Sequence, residues 1–227
     1  MPRARYDGLA DWYDREFSPA PLESPAWDAA IRLLGDGPGN LLDVGCGTGV
    51  HGAGFARSGW SVTGLDISED MLRRARTRGV DAVHGDAASL PFEDDSFDAV
   101  VSLWTHTDVS DFAAVAREVV RVLRPLSPFV YVGAHPCFVG PHFRFAPEEG
   151  PPTLHPGYRQ QGRYGSGPGI GPSSGLRARV GASHLPLGAF VQAFLAAGLT
   201  LEWLEEPANT ASETREYPYT LALRWQK

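Results

Sequence analysis

Short apolar segments alternate with amphipathic segments between residues 40 and 134 of the chain. Five segments of four to seven residues are mostly apolar, at positions 41–44, 60–66, 80–84, 97–103 and 129–133. The first of them leads directly into glycines, as strands buried on both faces of a parallel sheet commonly do. The regular alternation of strand and helix patterns therefore predicts an α/β fold with a parallel sheet.

Two helices between these strands have clear signals. Ser68 is a favourable N-cap, acidic residues follow it in the first turn, and arginines at the far end suit the helix dipole. From Val109 to Leu123, apolar residues recur at three- and four-residue spacing, which predicts a helix packed on the sheet. Pro125 ends that helix. We assign its apolar stripe to the core and give it no chemical role.

The periodic pattern is lost between residues 135 and 182. These 48 residues contain ten glycines and eight prolines and have no helical period. Long irregular segments in compact domains are usually functional lids or linkers. A helical period then returns, and two closing strands follow at 199–204 and 217–225. We therefore predict an α/β core formed by residues 1–134 and 183–227, and an insertion, 135–182, that covers the substrate.

The amino-acid composition limits the kinds of molecule that this protein can be expected to bind. The chain has 227 residues, of which 43% are apolar and 21% charged, as in ordinary globular proteins. A net charge of −7 argues against a nucleic-acid partner, and no apolar run of about 18 residues predicts a membrane span. Two cysteines, Cys46 and Cys137, are too few for a disulfide scaffold, and the histidines lack metal-ligand spacing. We expect a cytoplasmic protein without a metal.

The strongest local signal is a strand that runs into a glycine-rich turn, residues 43–49 with the sequence Asp-Val-Gly-Cys-Gly-Thr-Gly. Glycine permits positive φ and close approach of a ligand, and the following helix offers free amides. Two cofactors compete for this turn, because residues 47–52 also match the G-x-G-x-x-G dinucleotide fingerprint. Asp66, after the next strand, would hold ribose hydroxyls in either case. Asp43 favours a ligand with an ammonium group, because a dinucleotide site normally has an apolar residue there.

A third acidic residue follows the third strand, in the sequence Gly85-Asp86-Ala87. The carboxyl ends of parallel strands meet at one edge of a sheet, where ligands bind in open α/β folds. We therefore expect Asp43, Asp66 and Asp86 to lie along one edge. An acceptor at the third position can read the exocyclic amine of adenine.

The order of these motifs resembles that of the class I S-adenosylmethionine-dependent methyltransferases that modify small molecules. The matching segments are 42–49, 64–68, 85–92, 96–100 and 117–125. The family usually continues the last motif with Pro-Gly-Gly, and this chain has Leu-Ser-Pro there instead. The resemblance implies a doubly wound, mostly parallel, seven-stranded Rossmann-like sheet with an antiparallel last strand and helices on both faces. It also implies S-adenosyl-L-methionine as the cofactor.

The same resemblance assigns contacts with the methionine part of the cofactor. Gly45, Gly47 and Gly49 would approach it closely, and Asp43 would orient its amino group directly or through water. The backbone of Leu103, where the fourth strand ends, would meet the same amine. These roles are carried over from the family motif to the matching positions of this sequence.

Contacts with ribose and adenine follow in the same way. The ribose diol and the adenine ring are assigned to Asp66, Ile67, Asp86 and Ala87. Residues 6–14 resemble the opening helix that covers the cofactor in this family, and Tyr13 is its expected contact.

Methyl transfer is an in-line displacement with a neutral leaving group, so positioning supplies most of the acceleration. A base is needed only when the acceptor must lose a proton. His106, after the fourth strand, is the candidate base, with Asp108 as its orienting partner. The alternative is a turn histidine beside an aspartate that caps the next helix. Trp104, Tyr131 and His135 are the candidate substrate contacts.

The sequence thus predicts transfer of a methyl group from S-adenosylmethionine to an oxygen, nitrogen, carbon or sulfur atom of a small, aromatic or apolar acceptor. Two other functions stay open. The overlapping fingerprint is compatible with an NAD(P)-dependent oxidoreductase, and the glycine turn with a non-catalytic S-adenosylmethionine-binding protein. A nucleic-acid methyltransferase is disfavoured by charge and because Leu-Trp-Thr-His, at 103–106, replaces the Asn/Asp-Pro-Pro-aromatic tetrad.

Overall fold

A seven-stranded sheet forms the centre of the molecule. The computed structural model describes residues 4–17, 22–144, 152–208 and 216–227. The strands are β1 (Gly39–Val44), β2 (Trp60–Asp66), β3 (Asp81–His84), β4 (Ala99–Leu103), β5 (Pro128–Ala134), β6 (Phe143–Arg144), β7 (Thr153–Leu154), β8 (Gly162–Tyr164), β9 (Ala182–His184), β10 (Thr200–Glu205) and β11 (Thr220–Gln226). The central sheet has the order β10-β11-β5-β4-β1-β2-β3, and β11 runs antiparallel to both of its neighbours. This arrangement confirms the predicted Rossmann-like fold class.

Helices cover both faces of this sheet. They are α1 (Ala10–Phe17), α2 (Pro25–Leu34), α3 (Val50–Arg57), α4 (Glu69–Thr77), α5 (Phe112–Val122), α6 (Leu176–Val180) and α7 (Leu187–Ala197). The apolar faces of α2 and α3 pack on one side of the sheet, and those of α5 and α7 on the other. The fold is therefore doubly wound. Within the described ranges, no helix has the length and apolar character needed to cross a membrane.

Helix starts follow the capping chemistry of the sequence, with two corrections. Ser68 caps α4 as predicted, since its side chain accepts a hydrogen bond from Met71 N. The cap of α5 is Asp111 rather than Asp108, because Asp111 Oδ1 accepts from Ala114 N at 2.9 Å. The helix predicted from residue 6 begins only at Ala10, after a turn.

The described parts of the predicted insertion, 135–144 and 152–182, contain short local elements rather than one irregular loop. Strand β6 pairs with β7, and β8 pairs with β9, both outside the central sheet. The helix α6 lies between β8 and β9 in sequence and ends at Val180. β9 packs against a 3₁₀ helix of one turn, His106–Asp108, that follows β4. The segment therefore lies beside the carboxyl end of the sheet.

Phe190, on α7, is the centre of an aromatic cluster between the sheet and its helices. Its fully buried ring lies 4.8 Å from that of Phe112 and 4.9 Å from that of Tyr131, measured between ring centroids. The rings of His106 and Phe194 complete the cluster at 5.4 and 5.5 Å. Because these rings are closely packed, the neighbouring side chains cannot move far enough to fill the space that is left when one ring is removed.

We expect Phe190→Ala to lower the free energy of unfolding by about 3–5 kcal/mol, because it leaves a cavity among rings that cannot close around it. Urea denaturation followed by circular dichroism measures the change. Leu195→Ala on the same helix is the control, since Leu195 is 42% exposed and its truncation should cost at most about 1 kcal/mol. Equal losses in the two variants would contradict the packing role given to Phe190.

Candidate active site

A cleft opens at the carboxyl edge of the sheet, beside the point where strand order reverses between β1 and β4. It encloses about 1060 Å³, including space open to solvent. The ends of β1, β2 and β4, the loop after β3, the start of α5 and the N-terminal segment form its walls. Ligands of open α/β sheets bind at such switch points.

The glycine turn after β1 adopts left-handed backbone at each of its three glycines. A Cβ at Gly45 would lie 2.5 Å from Thr105 Cγ2, and one at Gly49 only 2.7 Å from Ala75 Cα. A Cβ at Gly47 would meet nothing within 4 Å. Gly45 and Gly47 line the cleft, whereas Gly49 is buried behind it as the N-terminal cap of α3. Gly49 thus packs behind the cleft in the ligand-free chain, and its contact with a ligand stays a prediction.

Asp66 holds the two loops at the floor of the cleft together. Its Oδ2 accepts a hydrogen bond from Gly47 N at 2.9 Å, and its Oδ1 accepts one from Ser68 N at 2.8 Å. Burial raises the pKa of this carboxyl to about 6, while these amides act in the opposite direction. The side chain lines the cleft, and each carboxylate oxygen keeps a second lone pair for a ligand.

Asp43 lies beneath the cleft rather than in its wall. It is almost fully buried, and within the described residues neither carboxylate oxygen has a hydrogen-bond partner. Burial, followed by the charge of Asp66, raises the pKa of Asp43 to about 7. A buried carboxylate without a partner is costly, so this group is suited to receive a cation or a donor from a ligand.

Four further residues predicted from the sequence lie in the cleft wall. Ile67, Asp86 and Ala87, predicted on the adenine side, line it, and so does Leu103, predicted beside the methionine amine. Asp86 Oδ1 accepts from Ala88 N at 2.9 Å, which fixes the carboxylate at the start of the loop after β3. The wall therefore combines apolar side chains with an acceptor held in a defined orientation.

The N-terminal segment covers the other side of the cleft. Tyr6 and Tyr13 line it, with ring centroids 5.7 Å apart in an edge-to-face arrangement. Ser68 Oγ donates to Asp7 Oδ1 at 2.7 Å, which ties this segment to the start of α4. Burial raises the pKa of Tyr13 to about 12. The phenols therefore stay neutral and act as hydrogen-bonding walls.

Polar groups from three distant segments meet at the end of the cleft next to α5. Tyr6 Oη donates to Asp108 Oδ2 at 3.0 Å, and the Arg177 guanidinium contacts both carboxylate oxygens at 3.3 Å. Arg177 also donates to Thr107 Oγ1 at 2.7 Å. Trp104 lines the cleft here with 38% of its surface exposed and a φ of 62°.

Three predicted side chains point away from the cleft. His106 is only 6% exposed, and its Nδ1 bonds to the hydroxyl of Tyr131 within the aromatic cluster rather than to Asp108. Burial, followed by the charge of Arg177, lowers the pKa of His106 to about 3. His135 is buried with its Nε2 2.9 Å from Glu206 Oε1. None of these three rings lines the cleft, so the structure does not support His106 as the base or Tyr131 and His135 as substrate contacts.

Arg177, Thr105 and the carboxylate contacts of Asp108 were not found by sequence reasoning. Arg177 contacts a residue 69 positions away, so no local pattern connects the two. Within the described ranges, no group of three or more His, Cys, Asp or Glu side chains is arranged to bind a metal ion.

Comparisons with known proteins agree with this geometry. A family model described as a methyltransferase domain matches residues 42–130. A demethylmenaquinone methyltransferase of Mycobacterium marinum is 41% identical over 123 residues, which cover 53% of each chain. The chain spans about half the length of the curated relatives it matches first.

Solved structures extend the similarity to most of the chain. An S-adenosylmethionine-dependent methyltransferase from Mesorhizobium loti has a TM-score of 0.74 and 26% identity, and covers 90% of this chain and 99% of its own. A structure from Listeria monocytogenes, with a TM-score of 0.71, 23% identity and coverage of 89% and 96%, shares the fold. The region matched by the family model contains the glycine turn and the strand ends that form the cleft, and the chain shares the fold of the S-adenosylmethionine-dependent methyltransferase from Mesorhizobium loti.

Proposed function

We propose that this chain transfers a methyl group from S-adenosyl-L-methionine to a small aromatic acceptor. The observation that carries the proposal is the buried carboxylate of Asp43, which has no hydrogen-bond partner among the described residues and lies beneath the cleft, next to the glycine turn. A cofactor with an amino-acid end supplies the cation that this carboxylate lacks. The match of residues 42–130 to a methyltransferase-domain model disfavours the nicotinamide alternative and leaves a non-catalytic cofactor-binding protein as the competing function.

The residues of the cleft fit the rest of this cofactor. Gly45 and Gly47 would admit its methionine part, and Asp66 would accept hydrogen bonds from the ribose hydroxyls. Asp86 would accept from the adenine amine, with Ile67 against the ring. When bound, S-adenosylmethionine supplies an electrophilic methyl group on a sulfonium sulfur. Tyr13 would cover the cofactor and keep water away from that centre.

The chain itself has to hold the acceptor in line with the methyl group, and it needs a base only for acceptors that must lose a proton. Tyr6, Tyr13 and Trp104 give the acceptor end of the cleft aromatic walls. Such walls favour a flat, apolar acceptor. The relatives named as demethylmenaquinone methyltransferases make hydroquinones the first class to test.

We also propose that residues 135–182 cover the acceptor. Two contacts support this role: β9 packs against the 3₁₀ turn after β4, and Arg177 of α6 reaches Asp108 in the cleft wall. A segment attached at both ends to the core, with one side chain at the cleft, is suited to exclude water during the transfer.

The direct test incubates the full chain with S-adenosylmethionine and a set of naphthols and hydroquinones. We expect S-adenosylhomocysteine and a methylated product in equal amounts, measured by mass spectrometry, with none of the product when the acceptor is omitted. Cofactor binding without turnover on any acceptor of the set would favour the non-catalytic alternative. Absence of cofactor binding would contradict the proposal altogether.

We expect Asp66→Ala to weaken S-adenosylhomocysteine binding by about 1–3 kcal/mol, because charge-assisted hydrogen bonds to the ligand are lost. Isothermal titration calorimetry measures the affinity. Asp81→Ala is the matched control, since Asp81 is an exposed aspartate at the start of the neighbouring strand. Unchanged affinity in a folded Asp66→Ala variant would remove Asp66 from the proposed site.

We expect Asp43→Asn to stabilise the ligand-free protein at neutral pH while weakening cofactor binding. The pKa of Asp43 is about 7 in the folded chain and 3.8 ordinarily, so the folded state retains the proton between these values. Stability of the parent chain therefore falls as pH rises through this window, and the variant escapes that loss. The gain should grow from about pH 4 and level off above about pH 7, at no more than about 4 kcal/mol.

Urea denaturation of both proteins at a series of pH values measures this gain. Asp81→Asn, at an exposed position, should give a small difference without that pH window. A gain for Asp43→Asn that shrinks as pH rises would show that Asp43 is ionised and satisfied in the ligand-free chain.

A further inference from the structure

Two segments that are far apart in the chain meet at the Asp108 carboxylate. Tyr6, from the N-terminal segment 4–17, donates to Asp108 Oδ2 at 3.0 Å, and Arg177, from α6 of the insertion, contacts both carboxylate oxygens at 3.3 Å. Burial, followed by the charge of Asp108, raises the pKa of Tyr6 well above its ordinary value, so the phenol keeps the proton that makes this hydrogen bond. One carboxylate therefore connects the N-terminal segment to the insertion.

A second contact joins the same two segments directly. The guanidinium carbon of Arg179, also on α6, lies 4.5 Å from the centroid of the Trp12 ring on α1. A guanidinium above an indole ring is attracted by the negative face of that ring. The insertion therefore holds the N-terminal segment at two places, through Asp108 at Tyr6 and directly at Trp12.

The N-terminal segment is also fastened to α4. Gly8 N donates to Asp70 Oδ2 at 2.6 Å, and Arg78 pairs with Asp14 at 2.8 Å. The two tyrosines of the segment line the cleft, as do residues of α4 and Asp108. The segment therefore spans the cleft from α4 to Asp108, and it needs both attachments to stay closed.

Arg177 fixes the orientation of the Asp108 carboxylate. It donates to Thr107 Oγ1 at 2.7 Å while it contacts both oxygens of Asp108, so it bridges two neighbouring residues of the 3₁₀ helix. The side chains of Arg177 and Asp108 are only 24% and 22% exposed, so water screens this pair less than a surface ion pair. Loss of the cation would leave the carboxylate freer to turn toward water and away from Tyr6.

The insertion has no direct access to a ligand in the cleft. Among its described residues, 135–144 and 152–182, none lines the cleft. Any influence of these residues on a bound cofactor therefore has to pass through groups that do line it. Asp108 and Tyr6 are two such groups, and Arg177 contacts the first of them.

We infer, on the basis of the proposed function, that Asp108 is a positioning residue that couples two covers of the cleft, the N-terminal segment and the insertion. Arg177 holds its carboxylate toward Tyr6, and Tyr6 holds the N-terminal segment closed over the cofactor. Release of the cofactor then requires α6 and the N-terminal segment to separate. The segment that we propose to cover the acceptor thereby also sets how long the cofactor stays bound.

Hydrogen–deuterium exchange of the full chain, with and without S-adenosylhomocysteine, tests this coupling by mass spectrometry. We expect the ligand to slow exchange in α1 and also in α6, because closure of one cover stabilises the other. Protection of α1 with unchanged exchange in α6 would overturn the inference.

The rate at which labelled S-adenosylhomocysteine leaves the protein, after addition of excess unlabelled ligand, measures the effect on retention. We expect Arg177→Gln to raise this rate about five- to tenfold, a common strength of coupling between sites. Arg179→Gln should raise it less, because Arg179 is exposed. Arg159→Gln, at another exposed arginine of the insertion, is the matched control and should leave the rate unchanged. An unchanged rate in Arg177→Gln, with exchange in β8 and β9 as in the parent chain, would contradict the coupling.

A double-mutant cycle tests the route through Asp108. Tyr6→Phe keeps the ring in the cleft wall and removes only the hydroxyl that bonds to Asp108. If Arg177 acts through this bond, adding Arg177→Gln to Tyr6→Phe should raise the dissociation rate no further than the stronger single change. Multiplication of the two effects would show that Arg177 acts by another route and would overturn the role of Asp108.

The coupling and the proposed function can fail separately. Absence of S-adenosylhomocysteine binding to the parent chain would contradict the proposed function. In the ligand-free proteins, Arg177→Gln should still speed exchange in α1 relative to the parent chain. Equal exchange of α1 in these two ligand-free proteins would overturn the coupling, whatever the cofactor.

Discussion

The cleft depends on the two hydrogen bonds that Asp66 accepts from the backbone. One comes from the glycine turn after β1 and the other from the residue that caps α4, so a single carboxylate fixes two neighbouring strand–helix connections. The same cap residue, Ser68, donates to Asp7 and so positions the N-terminal segment over the cleft. The floor of the cleft and the N-terminal segment that covers it are therefore connected through the end of one strand.

The fold could be read from the sequence because its signals are local. Each core strand is a short apolar run followed by a turn, and Ser68 caps α4 by contact with a residue three positions away. Helix α2 was missed although Ser24 and Pro25 provide a cap and a favourable first residue. The predicted helix boundaries differ from the observed ones where two aspartates are possible N-caps, as at the start of α5.

The residues on the cofactor side of the cleft could also be predicted from the sequence, whereas those on the acceptor side could not. Asp66 ends β2 and Asp86 lies two residues after the end of β3, so the parallel sheet alone brings them to one edge. The orientation of His106 depends on the left-handed backbone of Trp104, which interrupts the alternation of side-chain directions after β4. Arg177 meets Asp108 only because the insertion folds back across the sheet edge. Contacts of this kind arise from the tertiary structure, and no periodic pattern in the sequence indicates them.

The contact between Gly45 and Thr105 joins the loop that approaches the cofactor to the loop that faces the acceptor. Thr105 fills the space where a side chain at position 45 would lie, and its hydroxyl donates to the Val44 carbonyl oxygen at 3.1 Å. A bulkier residue at either position would have to displace the other loop. Evolution of a new acceptor preference in the segment after β4 is therefore constrained by retention of the methyl donor.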